Sequence, residues 1–277
     1  MLADGPASGR LNVCSLLKIE GPWNERMKKD PHAYRIRAYR QVQAEGELVS
    51  SYVRVSETDL HILAERAVEQ EALETVLQCR LLIENYAARH PAFFPSLVPL
   101  PPDPLAPPLI RDMLQAGEAA EVGPMAAVAG TIAEHVGRRL LHCGVQEVIV
   151  ENGGDIFLSR RRDCTVAIFA GRSPLSGKVG LKIDARQMPM AVCTSSGTVG
   201  HSLSFGEADS VTVLAASTPL ADAVATRLGN EVGRGGGGKG GIRLALEIAQ
   251  GFAEIVGVVV ICGDLMGAVG SVELVQL

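Results

Sequence analysis

Aromatic side chains are scarce: Phe, Tyr and Trp make up 4% of the 277 residues, too few for a surface that recognises its ligand mainly by stacking. Blocks of positive charge are missing too. The 26 Lys and Arg are outnumbered by 31 Asp and Glu, for a formal charge of −5. No basic run is interleaved with aromatics, which argues against a nucleic-acid partner. The six cysteines, Cys14, Cys79, Cys143, Cys164, Cys193 and Cys262, contain no C-x-x-C pair. A zinc ribbon or a disulfide scaffold is therefore disfavoured, and six thiols in a reducing cytoplasm are expected. No apolar run reaches the roughly 18 residues of a membrane span; the nearest, residues 125–133, stops at Glu134, His135, Arg138 and Arg139. Residues 1–30 lack the basic start and apolar middle of a secretory signal and read as a mobile lead-in.

Glycine, by contrast, is abundant at 30 residues, so turns and close backbone approach carry weight. Hydrophobic residues at 47% against 21% charged place the chain among soluble globular proteins with a real core. Period-two alternation predicts strands over 34–39 and 48–55, joined through Glu45-Gly46 as an antiparallel hairpin. Residues 62–86 then space Leu63, Ala67, Leu73, Val76, Leu77, Leu81 and Leu82 helically, and His90-Pro91 ends that helix. A proline-rich connector covers 95–108. A hairpin with one helix is too small to stand alone, so residues 31–277 are read as one domain.

Further helices are expected over 110–118, 125–142, 219–229 and 242–252. Strands are expected over 147–150, 155–159, 165–170, 178–183, 189–193, 210–215, 255–261 and 271–275, with a flexible glycine linker over 233–241. Runs of strands interrupted by a few helices predict an α+β fold, a mostly antiparallel sheet with packed helices.

Four segments hold residues suited to chemistry, and each also has a plain structural reading. Gly123-Pro124-Met125 opens a helix whose small residues Ala126, Gly130, Ala133 and Gly137 share one face. That face admits a flat ligand or a closely packed sheet. Glu151-Asn152-Gly153-Gly154-Asp155 follows a strand; it is either a hairpin turn or a turn that points Asn152 and backbone N–H groups at a ligand. In the third segment, 194–201, Thr194, Ser195, Ser196 and Gly197 lead to His201. Clustered hydroxyls and open N–H groups suit phosphate oxygens, and the histidine suits acid/base work, although a polar turn would look the same. In the fourth, Pro219 starts a helix on which Asp222 and Thr226, four apart, project from one face. They suit one hard cation, or a helix dipole and a bond to the preceding turn.

Taken together and in this order, the four segments resemble the C-terminal two-thirds of ApbE proteins, the FAD-dependent FMN transferases. The match runs over roughly residues 120–230 and is carried by strand-GGD, the TSSG loop, a β-branched strand and A-D-x-x-x-T. With Glu57-Thr58-Asp59-Leu60 and the run from Gly123 to Gly130, the whole chain is more similar still to an uncharacterised prokaryotic family related to ApbE.

The resemblance implies an ApbE-like fold, Mg²⁺ held by Asp222 and Thr226, and FAD or a related nucleotide beside it. It also implies a pocket lined by Asn152, Gly153, Gly154 and Asp155 and flanked by Thr194, Ser195, Ser196 and Gly197. His201 would assist attack by a protein acceptor, with release of AMP. The chain departs from ApbE after the TSSG loop, where nine residues, 201–209, precede the next strand. The family's aromatic-bearing insert is missing there, and Ala129 stands about where its helix lysine belongs. Phe205 is the one aromatic near this loop, so adenine would have to stack on an aromatic from elsewhere or from a second copy in a homo-oligomer. A smaller phosphorylated ligand is the alternative. Two readings follow: a Mg²⁺-dependent flavin-nucleotide transferase or hydrolase, or a non-catalytic flavin- or nucleotide-binding protein.

Overall fold

The computed structural model describes residues 10–11, 15–18, 48–198, 206–233 and 238–277. The strand expected at 34–39, its turn at Glu45-Gly46, and His201 and Phe205 fall outside the described residues. Two short strands, β1 (Arg10–Leu11) and β2 (Ser15–Lys18), lie inside the stretch read as a lead-in.

The described hairpin joins β3 (Val49–Val55) to β4 (Thr58–Ala64). The helix predicted from residue 62 therefore starts later, as α1 (Glu69–Arg89). Alternation explains the correction: Leu60, Ile62 and Ala64 are fully buried on one face of β4, and the strand pairs on both sides, which outweighs a marginal helical period. The face of α1 is also corrected. Ala72, Val76, Cys79, Ile83 and Ala87 pack inward, while Leu73, Leu77, Leu81 and Leu82 are 38–59% exposed.

Two helices follow, α2 (Pro108–Ala119) and α3 (Val128–His142). Then come β5 (Val148–Asn152), β6 (Asp155–Ser159), β7 (Cys164–Ala167), β8 (Val179–Ile183), β9 (Met190–Ser195) and β10 (Ser210–Ala215). Helix α4 (Thr218–Glu231) starts from the Ser217 cap, whose hydroxyl accepts the Leu220 N–H. Helix α5 (Gly238–Ala249) begins inside the stretch expected to be a linker. Its face of Ile242, Ala245, Leu246 and Ala249 joins the core under β11 (Ile255–Cys262), and this packing offsets the poor helix propensity of Gly238, Gly240 and Gly241. The chain closes with β12 (Leu265–Gly270), which the sequence did not announce, and β13 (Val272–Gln276).

Nine strands form one antiparallel sheet in the order β2-β12-β11-β10-β9-β6-β5-β4-β3, and β1-β13-β8-β7 form a smaller one. The described α-helices lie on one face of the large sheet, around Phe157, Val148 and Ile62 at one end and Val213, Val258 and Leu228 at the other. The small sheet covers part of the opposite face through Leu181, Ile183, Val259 and Met266. This is the expected α+β architecture in three layers.

Candidate functional site

The β5–β6 hairpin turns on Gly153 and Gly154, both at positive φ (71° and 112°), a conformation L side chains resist. The turn sets Asn152 opposite Asp155, and Asp155 in turn lies opposite Cys193 of β9. All three face the helix layer. The Asn152 amide donates to Ala129 O at 3.0 Å, tying the hairpin tip to the start of α3.

Asp222, in the second turn of α4, meets the same helix end. Its Oδ2 accepts the Gly130 N–H at 2.8 Å, and the Ala129 N–H also bonds the carboxylate. Glu134 of α3 reciprocates: Oε2 accepts the Thr218 N–H at 2.7 Å while Oε1 takes Arg138 Nε at 2.7 Å. Each helix thus supplies a carboxylate for the unsatisfied N–H groups at the other's N-terminus. The crossing is tight enough that a Cβ on Gly130 would meet Thr218 O at 2.6 Å and Asp222 Cβ at 2.9 Å.

Two carboxylates are therefore buried side by side, and among the described residues no ion pair involves either. Burial, and then the charge of Asp222, push Asp155 well above the ordinary carboxylate range. Burial pushes Asp222 up to about 7 against the opposing pull of the Gly130 and Ala129 N–H groups. Burial and the two carboxylates also hold the Cys193 thiol well above its usual value, so it stays a neutral S–H. Its sulfur lies 3.5 Å from Thr218 O. Asp155 Oδ1 and Thr218 Oγ1 are the two buried side-chain polar atoms, among the described residues, that lack a hydrogen-bond partner.

The third segment meets this cluster only through its first residue. Thr194 bonds Asp155 through its backbone, but its hydroxyl points to the other sheet face and pairs with Thr212 Oγ1 at 3.0 Å. Ser195 ends β9, half-buried. Two of the N–H groups expected to be open are used internally: Gly197 N–H goes to Ala208 O at 2.8 Å and Thr198 N–H to Ser196 Oγ at 3.1 Å. Thr226 is half-buried, one turn beyond Asp222 on the same face of α4. A separate trough of about 420 Å³ at the other end of the β5–β6 hairpin is lined by Leu48, Glu65, Glu147 and Arg160–Arg162. There Arg160 pairs with Glu147 at 3.3 Å.

Residues 40–237 match the family model described as AbpE bacteria. A UPF0280 protein of Methanococcus aeolicus is 43% identical over 203 residues, covering 73% of this chain and 81% of the relative. The chain belongs to this ApbE-like UPF0280 family. A second UPF0280 protein, from Methanocaldococcus jannaschii, is 42% identical over 210 residues, covering 75% of this chain and 84% of its own length. The flavin transferase ApbE of Vibrio cholerae superposes with a TM-score of 0.52 at 14% identity, over 81% of this chain and 97% of that one. That likeness extends to the fold.

Within this UPF0280 chain, sequence reasoning missed Glu134, Thr218 and Cys193 as members of the cluster. Glu134 was legible in one respect: it stands four residues after Gly130, on the small-residue face that opens α3 toward α4. Nothing in the linear pattern marked Cys193. Among the described residues the five cysteines are free thiols, and no helix is long and apolar enough to cross a membrane.

Proposed function

We propose that this protein is a Mg²⁺-dependent enzyme acting on a flavin nucleotide, FAD or FMN, as a transferase to a protein acceptor or as a hydrolase. The observation that carries the reading is the buried, cation-free pair Asp155 and Asp222 at the meeting of the hairpin tip with α3 and α4, in a chain of an ApbE-like family. Two carboxylates without a counter-charge are costly to hold in a core, and a divalent cation compensates them. Among the described residues no three His, Cys, Asp or Glu side chains form a metal cage. Two carboxylates suit Mg²⁺, which uses one or two and takes its remaining ligands from water and substrate phosphates.

In this reading Asp222 and Thr226 hold the cation, whose charge would stabilise a leaving phosphate when bound. Asn152, Gly153, Gly154 and Asp155 line the nucleotide side, and Thr194 to Gly197 flank it. An acceptor hydroxyl attacks the FMN phosphorus, the pyrophosphate bond breaks, and AMP leaves with the bonding electrons. His201 takes the hydroxyl proton. In the hydrolase version water replaces the acceptor and free FMN results.

A second reading, a flavin- or nucleotide-binding protein without chemistry, is favoured by the internally bonded Ser196–Thr198 turn and the nine residues that follow it in place of a longer insert. Incubation of purified protein with FAD and Mg²⁺ separates the readings. AMP with flavin fixed to protein identifies the transferase; AMP with free FMN identifies the hydrolase. Intact, stoichiometrically bound FAD would leave the binding protein standing. Asp222→Ala is expected to abolish AMP release.

A further inference from the structure

We infer that Asp155 and Thr218 belong to the cation site itself and complete, with Asp222, a buried all-oxygen donor set for a divalent cation at the head of α4. The inference rests on the metal-dependent reading above; it reassigns Asp155 from pocket lining to ligand and puts Thr218 in the place of Thr226, because two hydroxyls eight residues apart on α4 lie about 12 Å apart along the helix and cannot share one ion.

Three observations converge on it. The unpartnered buried atoms, Asp155 Oδ1 and Thr218 Oγ1, are not scattered through the core but occur together. Asp155 lies across from Cys193, whose sulfur touches Thr218 O at 3.5 Å. Thr218 precedes Asp222 by four residues, so hydroxyl and carboxylate leave α4 on the same side.

The carboxylate of Asp222 is also pre-aimed. Gly130 N–H holds its Oδ2 at 2.8 Å, and Glu134 fixes the helix start through Thr218 N–H at 2.7 Å. A ligand set held by backbone in this way loses little freedom on binding.

The donor chemistry selects the ion. Two carboxylates and a hydroxyl are hard oxygen ligands, suited to Mg²⁺ or Mn²⁺ rather than to a soft metal. A divalent ion would compensate the charge of both carboxylates as they ionise in the core. Buried polar atoms that lack partners destabilise the empty fold, and such atoms are retained where a ligand uses them.

The test follows from that asymmetry. Mn²⁺ binding is read from the EPR signal of the free ion, alone and with FAD present, for wild type, Asp155→Asn, Thr218→Val and Asp222→Asn. Thermal midpoints are recorded for the same proteins after metal removal. Affinity should fall at least tenfold in Asp155→Asn and in Thr218→Val, while their metal-free midpoints equal or exceed the wild type's. A loss smaller than tenfold in either variant overturns the inference and leaves the functional reading intact. A lower metal-free midpoint in either overturns it too, because the side chain would then stabilise the empty fold. Wild-type protein that binds no Mn²⁺ in either condition removes the functional reading and the inference with it.

Discussion

The two ends of the β5–β6 hairpin solve the same problem in opposite ways. At one end Glu147 is buried, but Arg160 Nε lies 3.3 Å from its carboxylate and Arg161 N–H donates to it at 3.2 Å. At the other end Asp155 is as deeply buried, sits beside a second carboxylate and keeps one oxygen unpartnered. The first end is a closed structural device in which the buried carboxylate has its cation beside it. The second buries two carboxyl groups with no cation beside them, an arrangement that costs stability whenever both ionise and that the proposed cation would offset. Within one supersecondary unit, burial alone therefore does not separate structure from function; compensation does.

The largest effect should come from opening the closed end. Arg160→Met removes the cation and leaves Glu147 buried without a counter-charge, which should cost about 3–5 kcal/mol. Urea denaturation measures this, and a loss below 1 kcal/mol would mean that solvent already reaches Glu147.

The open end should respond to pH instead. In the unfolded chain both aspartates titrate near 4, whereas in the fold Asp222 titrates at about 7 and Asp155 well above its usual range. Between those limits the folded state binds more protons than the unfolded state, so stability falls as pH rises from about 4 through 7. Metal-free wild type should lose roughly 2–4 kcal/mol across that window relative to the Asp155→Asn/Asp222→Asn double variant. Parallel profiles for the two proteins would show that the carboxylates are solvated.

The smallest effect belongs to the tie between the open end and α3. Asn152→Ala removes one amide bond to Ala129 O and should cost about 1 kcal/mol. The same substitution should loosen the hairpin tip, seen as faster amide exchange at Gly154 than at Ser159. Equal exchange would place the stiffness of the tip in its glycines.

Legibility in the sequence followed how local the cause was. Strands β5, β6, β10 and β11 and helices α2, α3 and α4 could be read because their alternation or capping residues lie within a few positions. The start of α1 could not, since residues 58–64 are strand only because β3 and β5 flank them. Its inward face was misassigned for a related reason: the large leucines draw attention, yet helix and sheet come close enough that Ala72, Val76 and Cys79 fill the gap. Strand β12, with Gly267 and Gly270, carries little β propensity of its own and exists through its pairing with β11.

By itself the sequence determined the fold class, the glycine turn before Asp155, the proline that starts α4, and the Asp222–Thr226 spacing. Each depends on covalent geometry or on neighbours within one helical turn. The tertiary structure alone decided that Asp155 and Asp222 share a site and that Glu134 and Asp222 cap each other's helices. It also decided that Thr194 turns its hydroxyl away and that Asp155 and Thr218 each keep a buried polar atom unpartnered. The shared site and the mutual capping depend on groups 67 to 92 residues apart in the chain meeting in a low-dielectric interior, and no local pattern of residues encodes that distance.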